Sequence, residues 1–114
     1  MHLLRANHYD FPNDIQVHTQ LITSDSTLGL ICGTVGLRKL LNHTRNIQDI
    51  IDAGLVDIII ELMSYAQSKQ VQFEATWCIA NIAAGTTQQS KILIDGGVVP
   101  ILLDFIQQNN SGIV

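Results

Sequence analysis

The 114-residue chain repeats itself at an interval of 43 residues. Residues 52–62 read Asp-Ala-Gly-Leu-Val-Asp-Ile-Ile-Ile-Glu-Leu, and residues 95–105 read Asp-Gly-Gly-Val-Val-Pro-Ile-Leu-Leu-Asp-Phe. The same offset, without a gap, lays residues 28–42 over residues 71–85 and Ser68 over Ser111. Identity between the copies is low, but the hydrophobic pattern holds. A unit of this length cannot bury its apolar face alone, so neighbouring units must stack and share one continuous core.

Helix signals fill each unit in the same order. Residues 46–52 read as a short helix ended by Gly54, which can turn the chain at a helix C-terminus because it lacks a Cβ. A second helix is expected from Leu55 to about Tyr65. Ser68 can cap a third, in which Val71, Phe73, Ala75, Cys78, Ile79, Ile82 and Ala83 form an apolar face at helical spacing and Gly85 marks the end. The cycle restarts with a helix over 87–95, a Gly96-Gly97 break, and a helix over 98–107. Pro100 lies in the first turn of that last helix, where its missing N–H costs nothing. Before residue 43 there is room for two helices, over 14–23 and 27–41, the latter capped by Ser26 or Asp25. Short, second and long third helix is the order of an armadillo repeat, whereas HEAT repeats have two helices.

The expected fold is therefore all-α, a right-handed superhelical armadillo solenoid of about two and a half repeats. The register divides it into an irregular lead (1–13), a partial repeat (14–42), a complete repeat (43–85) and the first two helices of another (86–114). No polar cap closes the far end. Val98, Val99, Ile101, Leu102, Leu103, Phe105 and Ile106 leave the last helix apolar almost all round, a surface that calls for a further repeat, a partner or self-association.

Composition narrows the function classes. The chain is 46% hydrophobic and 14% charged, with a net charge of −4 and a pI near 5.3. Sequence-independent nucleic-acid binding needs clustered Lys and Arg, and there is no such cluster. There is no apolar run long enough for a bilayer and no signal-peptide pattern, so a membrane partner is not expected. Cys32 and Cys78 form no disulfide framework and read as small buried hydrophobes that stay reduced in the cytoplasm or nucleus. The Asn-x-Ser/Thr triplets at 42–44 and 109–111 are chance matches in that setting. His2, His8, His18 and His43 lack metal-ligand spacing. Gly29, Gly33 and Gly36 are followed by no Lys-Ser/Thr, so they are not a phosphate loop; they either permit close helix approach or weaken the helix that holds them. No acid–base pair or activated nucleophile is recognisable. The chain reads as a non-enzyme without metal or cofactor.

Residues 71–86, Val-Gln-Phe-Glu-Ala-Thr-Trp-Cys-Ile-Ala-Asn-Ile-Ala-Ala-Gly-Thr, resemble the third helix of an importin-α (karyopherin-α) repeat. Residues 95–100 resemble that family's Asp-Gly-Gly/Ala-small-apolar-Pro junction, and Arg38-Lys39-Leu40-Leu41 resembles the end of its first repeat. The likeness runs over residues 14–114, and its specific core is the Trp-x-x-x-Asn pair.

The resemblance implies a groove that reads nuclear localisation signals. Residues four apart share one helix face. An indole offers an apolar wall to the methylene stem of Lys or Arg and a π-face to its charge. An Asn can donate to and accept from an extended peptide backbone whatever its side chains. By family likeness Trp77 selects the basic side chain and Asn81 holds the strand. Glu74 could pair with a Lys, and Gly85 by its carbonyl and Ser90, standing where the family usually has Thr, would help receive the anchoring lysine. Spacing alone leaves Trp77 open to a packing role in the core, Asn81 to an interhelical bond and Glu74 to an ordinary exposed acid. The implied partner is an extended Lys/Arg-rich peptide of a cargo protein, met in the cytoplasm and nucleus.

Several of the family's parts are missing from the sequence. The position one repeat before the Trp/Asn pair holds Thr34 and Arg38, the acidic residues of later repeats would lie beyond Val114, and no basic N-terminal arm for the transport carrier is seen. The expectation is a single rung that binds weakly in isolation. The alternative, of a different class, is an armadillo interaction scaffold that self-associates through its exposed apolar end.

Overall fold

The computed structural model describes residues 15–43 and 45–110, with the side chains of 45, 105 and 108–110 left aside. Seven helices follow one another among these residues, with no strand: α1 (Ile15–Ile22), α2 (Thr27–Leu40), α3 (Arg45–Asp52), α4 (Val56–Tyr65), α5 (Lys69–Ala83), α6 (Thr87–Asp95) and α7 (Val98–Asn110). The irregular lead expected over residues 1–13 and the Ser111 match lie outside the described residues.

Local chemistry sets the helix ends. Ser26 and Ser68 cap the two long helices, their hydroxyls accepting from Gly29 N (3.1 Å) and Val71 N (3.3 Å). α6 opens with a capping box, in which Thr86 Oγ1 accepts from Gln89 N while Gln89 Oε1 accepts from Thr86 N. Gly54 (φ +76°) and Gly97 (φ +83°) turn the chain in the left-handed region between the first and second helices of successive repeats. They stand 43 residues apart, so the sequence period is also a backbone period.

α2 and α5, the two long helices, pack on each other; α1 covers α2, and α4 joins α5 to α7. One core runs through the stack, including Leu37, Leu40, Ile47, Ile50, Leu55, Ile59, Met63, Ala75, Cys78, Ile79, Ile82, Leu93 and Val98. The α2 glycines resolve in favour of close approach. A Cβ on Gly33 would stand 2.6 Å from Ile22 Cγ2 and 2.9 Å from Leu21 Cβ, and one on Gly36 would run into the buried His18 ring. Without side chains at these points α1 lies directly on the backbone of α2.

One expectation is corrected. Phe73 is not part of the apolar face of α5: it is exposed, while Val71, Ala75, Cys78, Ile79 and Ile82 form the buried stripe. Two residues of helix place position 73 about 200° from position 71, on the face that carries position 77. Ala83 is exposed as well. On α7, Val98 is buried and Ile101 and Leu102 pack against the core, while Val99, Leu103 and Ile106 face outward.

Candidate functional site

The buried stripe of α5 leaves its opposite side to solvent. Trp77 is 58% exposed, so the indole is not core packing. Phe73 lies one turn before it and Asn81 one turn after, about 6 Å along the axis each way. Both indole and amide are thus carried by a rigid helix whose other side is anchored in the core.

Glu74 is not a solvated acid. It is half-buried, and its Oε2 accepts from Nε of Arg38 on the neighbouring α2. The same guanidinium lies over the Trp77 ring, with Cζ 5.4 Å from the ring centroid. By the 43-residue register, Arg38 holds the place in its repeat that Asn81 holds in the next. Beneath them Cys78 is fully buried and donates to the Thr34 carbonyl at 3.6 Å. Burial pushes its thiol up to about 12, with the Glu74 carboxylate acting in the same direction and Arg38 opposing. Burial raises the Cys32 thiol as well. Neither cysteine is a nucleophile or ligand in this setting.

Thr34, one repeat before Trp77, is fully buried, with its hydroxyl donating to the Leu30 carbonyl at 2.8 Å. It offers no second indole wall. Asn81 is half-buried, and its Nδ2 is buried without a hydrogen-bond partner. The amide therefore carries an unpaid donor, costing about 1–3 kcal/mol.

Gly85 lies just past the end of α5, and Ser90 lies in α6. Gly85 is half-buried; a Cβ there would press on Ile47 Cδ1 at 3.1 Å and on the Gln89 amide. Ser90 Oγ donates to the Ala83 carbonyl at 2.8 Å, which leaves its lone pairs as acceptors. Gln89, not singled out from the sequence, ties this end together, since its Nε2 also donates to Gln48 Oε1 of α3 at 3.1 Å. The Thr-x-x-Gln spacing at 86–89 is the signal that could have found it.

Among the described residues no group of His, Cys, Asp and Glu is placed to hold a metal ion, and no helix is long and apolar enough to cross a membrane. A cleft of about 340 Å³ lies elsewhere, between α4, α5 and α7, lined by Met63, Ser64, Tyr65, Gln72, Pro100, Ile101 and Asp104.

Known proteins match this sequence over most of its length. Residues 43–84 match the Armadillo/beta-catenin-like repeat family. Importin subunit alpha-2 of Arabidopsis thaliana is 37% identical over 82 residues, which is 70% of this chain and 15% of that protein. Residues 43–84 are thus an armadillo repeat, and the chain is similar to importin-α over most of its length. Importin subunit alpha of Saccharomyces cerevisiae is 34% identical over 90 residues (77% of this chain, 17% of that protein). Importin subunit alpha-1b of Oryza sativa subsp. japonica is 31% identical over 96 residues (82% and 18%). The chain spans less than a fifth of the length of these importin-α relatives. Armadillo chains of this family are adaptors or scaffolds rather than enzymes.

Proposed function

We propose that this importin-α-like chain is a peptide-binding module of a nuclear import adaptor, working in the cytoplasm and nucleus. It holds an extended Lys/Arg-rich segment of a cargo protein on α5. Trp77 takes the stem and charge of a basic side chain, Asn81 the peptide backbone, and the Gly85/Ser90 end a lysine ammonium. The observation that carries this reading is the 58% exposure of the lone indole on a helix whose opposite face is buried. Its importin-α relatives supply the class of partner. One rung contributes only a few kcal/mol, which places the isolated module in the roughly millimolar range.

Calorimetric titration of a Lys-rich signal peptide against wild type and Trp77→Ala tests it. Trp77→Ala should lose binding while keeping its melting temperature, because the indole is mostly outside the core. Equal affinity in the two proteins would sink the assignment.

A second reading, an armadillo scaffold that self-associates, is favoured by the outward apolar side chains of Ile92, Ile94, Val99, Leu103 and Ile106 on α6 and α7. Light scattering separates the two: this reading requires a concentration-dependent dimer unaffected by basic peptide.

A further inference from the structure

We propose that Arg38 is an internal stand-in for a ligand cation: it fills the face of Trp77 turned toward α2 and so ends the basic-peptide track at that residue. The inference rests on the groove reading above and deepens it. Its ground is the coincidence of two contacts on one side chain. Arg38 Cζ stands 5.4 Å from the centre of the Trp77 ring, and its Nε donates to Glu74 Oε2. A cation over an indole, neutralised by a carboxylate one helical turn away, is what an incoming Lys or Arg would itself adopt here.

Three features make this a filled slot rather than a passing surface pair. The Arg38 and Glu74 side chains retain only 23% and 17% of their exposure, so the guanidinium is tucked between α2 and α5. Thr34, the equivalent of Trp77 in the earlier repeat, is buried, so no second indole lines that side. The indole nevertheless remains 58% exposed, which leaves its remaining surface, away from Arg38, for a peptide. A basic side chain is accepted there. On the α2 side it meets a like charge and a carboxylate already paired, so a basic residue at the next peptide position gains nothing. Removing Arg38 should open a second basic-selective position, with Glu74 released to serve it.

Two measurements on the whole chain test this, the first without any peptide. Trp77 is the sole tryptophan, so acrylamide quenching reads the covering of its ring directly. Arg38→Ala should raise the quenching constant, and an unchanged constant would overturn the occupancy. The second is titration of a lysine-rich peptide into wild type, Arg38→Ala and Trp77→Ala. Displacing a cation from an exposed ring corresponds to about 2- to 5-fold in affinity, so Arg38→Ala should bind that much more tightly. If Trp77→Ala abolishes binding and Arg38→Ala weakens it, Arg38 is a positioning residue and the proposal fails while the groove reading stands. If Trp77→Ala changes nothing, the groove reading fails and the proposal with it. Arg38→Gln, which keeps the stem without the charge, guards against misfolding and should follow Arg38→Ala.

Discussion

Arg38 and Trp77 meet across two helices, guanidinium carbon 5.4 Å from ring centre, although the repeat register matches Arg38 with Asn81. The α5 surface around Trp77 is therefore covered in part by a side chain of α2. Trp77 and Glu74 of α5 both meet the one Arg38 side chain that leans in from α2.

Arg38 and Glu74 should be coupled in folding as well as in binding. The pair is less than a quarter exposed, and a partly buried pair of this kind carries roughly 1 kcal/mol. A double-mutant cycle of Arg38→Ala and Glu74→Gln, followed by urea denaturation, should return a coupling energy of about 0.5–1 kcal/mol. Strict additivity of the two substitutions would show that the contact does no structural work.

The glycines of α2 should respond unequally to alanine. Alanine favours a helix interior by up to about 1 kcal/mol over glycine. At Gly33 the new methyl would stand 2.6 Å from Ile22 Cγ2 and 3.0 Å from the Ile22 backbone nitrogen. Backbone cannot step aside, so overpacking of about 1–3 kcal/mol wins and Gly33→Ala destabilises. Gly36→Ala should do the same through the buried His18 ring. At Gly29 the obstacle is the end of the Ser24 side chain, which can rotate away, so Gly29→Ala should be close to neutral. Thermal melts of the three variants check the order.

The helices and their caps were legible in the sequence because their causes are local. Ser26, Ser68, Gly54 and Gly97 act on backbone groups within a few residues, and the 43-residue register repeats them. What the register could not give is direction about the helix axis across repeats. It placed Arg38 opposite Asn81 in the alignment but not over Trp77, which is a packing outcome of α2 against α5. Phe73 was misassigned for a related reason: an aromatic among aliphatics looks like core until the buried stripe at 71, 75, 78, 79 and 82 fixes the helix phase. The glycines of α2 offered two physical readings, and only the position of α1 decides between them.

Cys78 should make stability fall at high pH. Its thiol is fully buried and held protonated up to about 12 in the folded chain, whereas an unfolded thiol ionises near 8.5. Between those values the folded state binds the extra proton, so its advantage is complete below about pH 8.5 and is lost as pH rises toward 12. The slope contributed is at most about 1.4 kcal/mol per pH unit. Urea midpoints at pH 7 and pH 10 should fall less in Cys78→Ala than in wild type. The thiol should also resist iodoacetamide until the chain is unfolded.

Asn81→Ala should separate folding from binding. The Asn81 Nδ2 is buried and has no hydrogen-bond partner, so the folded chain carries the desolvation cost of that donor, about 1–3 kcal/mol, without return. Truncation to alanine removes the cost together with some packing of the side chain. The melting temperature should therefore stay level or rise. A residue kept at a cost to the fold and placed one turn from an exposed indole is what a backbone-gripping site requires, since a peptide carbonyl would satisfy the donor once the amide swings outward. Lys-rich peptide affinity should accordingly fall, by roughly 5- to 10-fold for one lost hydrogen bond of about 1 kcal/mol or slightly more. A loss of stability greater than about 1 kcal/mol in Asn81→Ala would mean that the amide serves the fold instead, and that Trp77 works without it.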